Sequence, residues 1–207
     1  VTVNGGMTYL DGTLIDSNPI AKTDIHNMLD MIYPENTMAV SFVLRDGLIM
    51  NIDNERSDYI FRQLEFKKMP HLRDLREYAD EDIYQMISFF DEQEEIDIMP
   101  RLPQCQSARW SPIFTDVVPK GQSKVRGIDT LCRAMGITAK ECMAFGDGGG
   151  SFHPKAWREG NLCGNSDRWH FSRVSDLYRP LAYRCRALFY GMRVMVWHFV
   201  GGGHAVR

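Results

Sequence analysis

Met143-Ala144-Phe145-Gly146-Asp147-Gly148-Gly149-Gly150 runs three apolar residues straight into a carboxylate set among glycines. A short apolar run that ends this way reads as a buried strand delivering an acidic side chain to the edge of a sheet. A carboxylate in that place suits a hard cation such as Mg²⁺, and the glycines let backbone amides approach phosphate oxygens. The same residues also describe a plain loop in which Asp147 only satisfies turn amides. Just upstream, Val125, Ile128, Leu131, Cys132 and Met135 mark one face of a helix that starts near Ser123, and Gly136 stops it. Helix, short loop, apolar strand and Gly-rich turn together make a piece of parallel α/β sheet.

The helix is preceded by Pro119-Lys120-Gly121-Gln122-Ser123-Lys124. A lysine at a helix start opposes the helix dipole, so Lys124 is either aimed at an anion or simply solvated. Further upstream the chain alternates short strands and helices. Asp11-Gly12 between Met7-Thr8-Tyr9-Leu10 and Thr13-Leu14-Ile15 predicts a hairpin. Ser17-Asn18-Pro19 reads as a helix cap ahead of a stripe at Ile20, Ile25, Met28, Leu29 and Ile32. Strands are expected at Met38 to Leu44, Leu48 to Ile52, Tyr84 to Phe90, Cys105 to Trp110 and Phe114 to Val118. A second helix is expected from Asn54 to about Leu64, and the acidic run Asp91 to Asp97 reads as a solvated helix start.

The 207 residues suffice for one large or two small domains. A net charge of −3 points to neither nucleic acid nor membrane when taken whole, but it conceals an asymmetry. Residues 1–149 hold 15 Lys and Arg against 24 Asp and Glu, whereas residues 150–207 hold nine against three. The five cysteines have no paired spacing, which implies reduced thiols and a cytoplasmic location. No apolar run approaches the roughly 18 residues of a membrane span. Val1 opens no signal peptide, and the missing initiator Met suggests a cut or incomplete start.

Lys120-Gly121-x-x-Lys124, a helix of a dozen or so residues, then Phe145-Gly146-Asp147-Gly148-Gly149 resembles the third and fourth motifs of the haloacid dehalogenase superfamily. The likeness is to its Cof-type phosphatases with a C2-type α/β cap. Val1-Thr2-Val3-Asn4-Gly5-Gly6 followed by a hairpin is similar to the signature by which those proteins enter the cap, and residues 46–119 fit the cap's strand-helix pattern. The resemblance covers residues 1–149. It implies an α/β fold in which an α/β cap domain is inserted in a partial Rossmann-like core. Residues 1–6 would be the core strand end and linker, 7–112 the cap, 113–149 part of the core, and 150–207 an aberrant tail of uncertain fold.

The resemblance also implies a chemistry. In that family an aspartate attacks phosphorus to form an aspartyl-phosphate that water hydrolyses, with Mg²⁺ offsetting the charge. Lys124 would stabilise the phosphoryl charge, Asp147 would ligate Mg²⁺, and Asn4 and Gly5 would lie at the substrate phosphate. The partner would be a small phosphorylated metabolite, a sugar phosphate or similar, with no membrane involved and nucleic acid only a lesser alternative through the tail. Three departures stand against this. The Asp-x-Asp-Gly-Thr motif is absent, and Tyr9-Leu10-Asp11-Gly12-Thr13 carries only its end, with Tyr9 where the nucleophile belongs. The Ser or Thr before Gly-Arg is absent too. After Asp147 the family's Asn-Asp is replaced by Gly150-Ser151. This chain is therefore expected to be inactive alone, and a non-catalytic binding module is the alternative.

The tail from Gly150 holds eight Arg, three of the four Trp and four of the six His. A change of composition at the point where the motif breaks is what a shifted reading frame would produce. Arg interleaved with aromatics is also the pattern of a nucleic-acid arm. His153, Cys163, His170 and Cys185 lack the spacing of a zinc site.

Overall fold

The computed structural model describes residues 1–33, 35–63, 69–138, 142–146, 161–164 and 194–197. The first of two compact units contains residues 1–131. It opens with the expected hairpin, in which β1 (Met7–Leu10) pairs antiparallel with β2 (Thr13–Ser17). Asp11 and Gly12 both take left-handed φ, 49° and 79°, as a two-residue hairpin turn requires. Asp11-Gly12-Thr13 is thus turn and strand start, not the end of a nucleophile motif.

The first helix, α1 (Lys22–Ile32), begins later than Ser17-Asn18-Pro19 predicts, with Ala21 at its N-cap. The reason is tertiary. The Ile20 N–H donates to the Ile83 carbonyl at 2.7 Å and its side chain is buried, which holds the residues before Lys22 extended. The helical stripe is as the spacing predicts: Ile25, Met28, Leu29 and Ile32 are all buried. Each such side chain contributes roughly 1.5–3 kcal/mol.

The helix lies on a six-stranded sheet made of β3 (Val40–Val43), β4 (Leu48–Met50), β5 (His71–Leu72), β6 (Gln85–Ser88), β7 (Cys105–Ser111) and β8 (Phe114–Pro119). The order is β5-β4-β3-β6-β8-β7, with β4–β5 the parallel pair. Register sorts the residues by face. Phe42, Met86 and Val117 stand opposite one another across β3, β6 and β8, and pack with α1 into the main core. The next row, Ser41, Ile87 and Asp116, belongs to the opposite face because strand side chains alternate. On that face, Met50, Phe89 and Phe114 pack with Ile60 and Phe61 from α2 (Glu55–Gln63).

The acidic run does form a helix, α3 (Glu92–Ile98). A capping box starts it: the Asp91 carboxylate accepts the Gln93 and Glu94 N–H groups, and Glu94 reaches back to the Asp91 N–H. Arg56 from α2 pairs with both Asp91 and Glu94. Fully buried Asp24 ties α1 to the residue before β7: its carboxylate accepts the Gln104 N–H at 2.8 Å. Burial, then Asp24 itself, pushes the Cys105 thiol's pKa well up.

The β7–β8 hairpin crosses the boundary expected between residues 112 and 113, so β8 is a strand of the large sheet. Beyond it comes α4 (Lys124–Met135), which ends at Gly136 with a left-handed φ of 64°. The second unit, Cys132–Gly201, contains a three-stranded parallel sheet. Its central strand is β9 (Cys142–Gly146), flanked by β10 (Asn161–Gly164) and β11 (Val194–Trp197). The parallel sheet expected around Phe145 is therefore present. Asp147, His153, His170, Cys185 and most of the tail lie outside the described residues. The architecture is α/β.

Candidate functional site

Val3, Asn4 and Gly5 make a tight turn with left-handed φ values of 51°, 51° and 86°. For the β-branched Val3 this is a strained conformation, costing on the order of 1–3 kcal/mol. Hydrogen bonds hold it: Gly5 N–H to the Thr2 carbonyl at 3.0 Å, Gly6 N–H to the Val3 carbonyl at 2.7 Å, and the Gln122 side-chain amide to that same Val3 carbonyl at 3.0 Å.

Gly5 is where only glycine fits. A Cβ built there would stand 2.0 Å from the Ser123 carbonyl oxygen. The turn therefore lies directly on the first turn of α4. Ser123 caps that helix, its Oγ accepting the Arg126 N–H at 3.2 Å, which leaves Lys124 at the first helical position. A second close approach follows one turn on, where a Cβ on Gly127 would meet Val1 Cγ1 at 2.4 Å. Arg126 completes the contact, pairing with Asp16 of β2 at 2.8 Å and reaching the Gly5 carbonyl at 3.4 Å. Two segments 119 residues apart are so brought side by side, and the sequence-predicted Asn4, Gly5 and Lys124 stand at one edge.

The Asn4 side chain faces the sheet. Its Nδ2 donates to Gln85 Oε1 and to Asp116 Oδ2, each at 3.1 Å. Both partners are nearly buried, at 8% and 9% exposure. Lys124 is half-buried and Lys120 exposed, the latter bonded through its N–H to the Gln104 carbonyl. Asp147, expected as a metal ligand, lies outside the described residues. Among the described residues no group of three His, Cys, Asp or Glu is placed to hold a metal ion. No described helix is long and apolar enough to cross a membrane.

Gln122, Gln85 and Asp116 were not predicted from the sequence. Gln122 sits inside the stretch that singled out Lys124, but a glutamine beside two lysines and a glycine carries no local signal. Gln85 and Asp116 lie in strands read for their apolar pattern, and their partner Asn4 is 81 and 112 residues away.

The family model described as haloacid dehalogenase-like hydrolase matches residues 1–149, well over half of the chain. A relative in Bacillus subtilis (strain 168), named "Putative phosphatase YkrA", is 25% identical over 157 residues, covering 72% of this chain and 56% of its own length. Among solved structures, the HAD subclass IIB sugar phosphatase BT4131 aligns with a TM-score of 0.67 and 26% identity over 78% of this chain and 61% of that one. BT1666 of Bacteroides thetaiotaomicron, described among phosphatases of the same superfamily, aligns at 0.64 and 24% identity over 87% and 71%. That last likeness is one of fold. The chain spans little more than half the length of YkrA and BT4131.

Proposed function

We propose that this chain, which belongs to the haloacid dehalogenase-like hydrolases, carries the cap and the phosphate-binding edge of a phosphatase for small phosphorylated metabolites such as sugar phosphates. The observation that carries the reading is the seating of Gly5 on the Ser123 carbonyl, which sets Asn4 and Gly5 beside the start of α4 and Lys124. A cation at the first helical position, next to the positive end of the helix dipole, concentrates positive potential where an anion would enter. The likeness to a sugar phosphatase of the same superfamily supports the substrate class.

In this reading the Lys124 ammonium offsets charge on the phosphoryl oxygens, beside the backbone turn at Gly5. Asp147 of the Gly-Asp motif would be a ligand of Mg²⁺, and the ion would neutralise charge on the transferring group. The six-stranded sheet, β5 included, would form the cap that selects the substrate, and we propose that the cap runs to Pro119 because β8 lies between β6 and β7. The rest of the division is proposed with 1–6 as core strand end and linker and the residues up to 149 as part of a Rossmann-like core; beyond it, β10 and β11 of the 150–207 stretch pair with β9.

The 207 residues contain no Asp-x-Asp-Gly-Thr, so residues 1–207 alone should bind a phosphate monoester without turning it over. The test is equilibrium binding of glucose 6-phosphate in Mg²⁺ to the purified chain and to Lys124→Ala, alongside phosphate release from an aryl phosphate. Saturable binding that Lys124→Ala weakens at least about tenfold, about 1.4 kcal/mol, supports the reading. Binding indifferent to Lys124, or no binding of any phosphate monoester, overturns it. Mg²⁺-dependent turnover by 1–207 keeps the site and removes the expected inactivity.

A further inference from the structure

The carboxamide of Gln122 joins segments far apart in the chain. Its Nε2 donates to the Val3 carbonyl at 3.0 Å and, more weakly, to the Tyr84 carbonyl at 3.4 Å, while its Oε1 accepts from Asn18 Nδ2 at 3.2 Å. The loop that bears it is fastened as well. Gln106 accepts the Gly121 N–H at 2.9 Å and donates to the Gln122 carbonyl at 3.1 Å. Gln122 itself is 3% exposed.

The positions of these partners matter. Val3 immediately precedes Asn4, and Gln122 stands two residues before Lys124. One amide therefore spans the gap between the turn that carries Asn4 and Gly5 and the loop that launches α4. Asn18 and Lys120 to Gln122 are also the two places where the chain passes between the β1–β2 hairpin with α4 and the six-stranded sheet, and Gln122 touches both. The Gly5–Ser123 approach is only a steric stop: it sets how near the two segments can come but does not hold them there. The Gln122 bonds hold them, together with Arg126, which reaches the Gly5 carbonyl at 3.4 Å. An apolar side chain of similar size would fill the space, but it would take the Gln122 partner from the Asn18 amide and leave the Val3 carbonyl only its bond from the Gly6 N–H.

We propose that Gln122 is a positioning residue, whose amide fixes the spacing between the Asn4–Gly5 turn and Lys124 and so sets the geometry of anion binding. This rests on the phosphate-binding reading above. The probe is inorganic phosphate, titrated into chain 1–207 and its variants well below their unfolding temperatures, with amide hydrogen exchange of Gly6 and Asn18 followed in parallel. The inference expects Gln122→Ala to keep its circular dichroism spectrum, bind phosphate about tenfold more weakly, and exchange both amides faster. Asn18→Ala, which removes one of the three side-chain bonds, should weaken phosphate by only about two- to threefold. If Gln122→Ala binds phosphate as tightly as the unmodified chain, the inference is wrong. Should that variant fail to fold, Asn18→Ala decides: unchanged affinity overturns the inference, a modest loss sustains it. Failure of the unmodified chain to bind phosphate removes the site reading and this inference with it, an outcome distinct from binding that ignores Gln122.

Discussion

Across three strands of the large sheet, one face presents the row Phe42, Met86 and Val117, and the other presents Ser41, Ile87 and Asp116. The first row is sealed under α1, and all three of its members are fully buried. On the second face an apolar cluster of Phe61, Phe89 and Phe114 occupies one part, while Gln85 and Asp116 are reached by Asn4 from the far N-terminal turn. One face is held by shape and area, which are non-directional and tolerant of small shifts. The other meets the candidate site through side-chain amides, which fix angle and distance but contribute little each. The fold's stability and the site's geometry therefore rest on different interactions and should respond to different substitutions.

The largest effect should come from the sealed face. Phe42→Ala is expected to cost about 3–5 kcal/mol, through lost transfer energy and the cavity left behind. Urea denaturation with an unchanged slope would read it; a loss below 1 kcal/mol would mean that α1 collapses into the space. Gly5→Ala comes next. Its φ of 86° and the 2.0 Å approach to Ser123 leave no room for a methyl group, so the turn must lift from α4. The Asn18 N–H, bonded to the Gly6 carbonyl at 2.8 Å, should lose its exchange protection, while the unfolding temperature falls less than in Phe42→Ala. The reverse ranking would sink the division between faces.

Asn4→Ala removes two half-buried amide bonds and is expected to cost about 1 kcal/mol, a shift of roughly 2–4 °C in unfolding temperature. A loss as large as that of Phe42→Ala would place the polar contact at the centre of stability. The smallest effect is local and pH-dependent. Hydrogen bonding from the Glu94 N–H, with Gln93 and then Arg56 adding to it, holds the Asp91 carboxyl below its ordinary pKa of 3.8. A depressed carboxylate favours the folded form above that ordinary value and loses the contribution as pH falls through the folded value. Protection of the Gln93 and Glu94 amides, taken against their intrinsic exchange rates, should fall only below about pH 4. Protection already lost at pH 6 would contradict the capping box as its cause.

Much of this was legible from short stretches of sequence. Asp11-Gly12 announced the hairpin, and the spacing of Ile25, Met28, Leu29 and Ile32 gave the buried face of α1. Lys120-Gly121 and Gly146-Asp147, with Asn4-Gly5, pointed to the family because each motif is local and chemically unusual. What stayed hidden was non-local. The start of α1 is moved to Lys22 by a bond from Ile20 to Ile83, a partner 63 residues away that no cap signal can foresee. The two-residue β5 is too short for any periodicity to show. Gln85, Asp116 and Gln122 form side-chain contacts across 38 to 119 residues, and polar residues within strands or loops announce a partner only once the fold supplies it.

The central claim is that the Asn4–Gly5 turn and the start of α4 form one anion-binding edge. Its most direct test follows the backbone amide resonances of ¹⁵N-labelled chain 1–207 during titration with inorganic phosphate in Mg²⁺. The account predicts that Gly5, Gly6 and Lys124 shift together along one saturable curve, while amides on the sealed face, such as Phe42 and Met86, stay still. Shifts confined to other residues, or separate curves for Gly5 and Lys124, would contradict it.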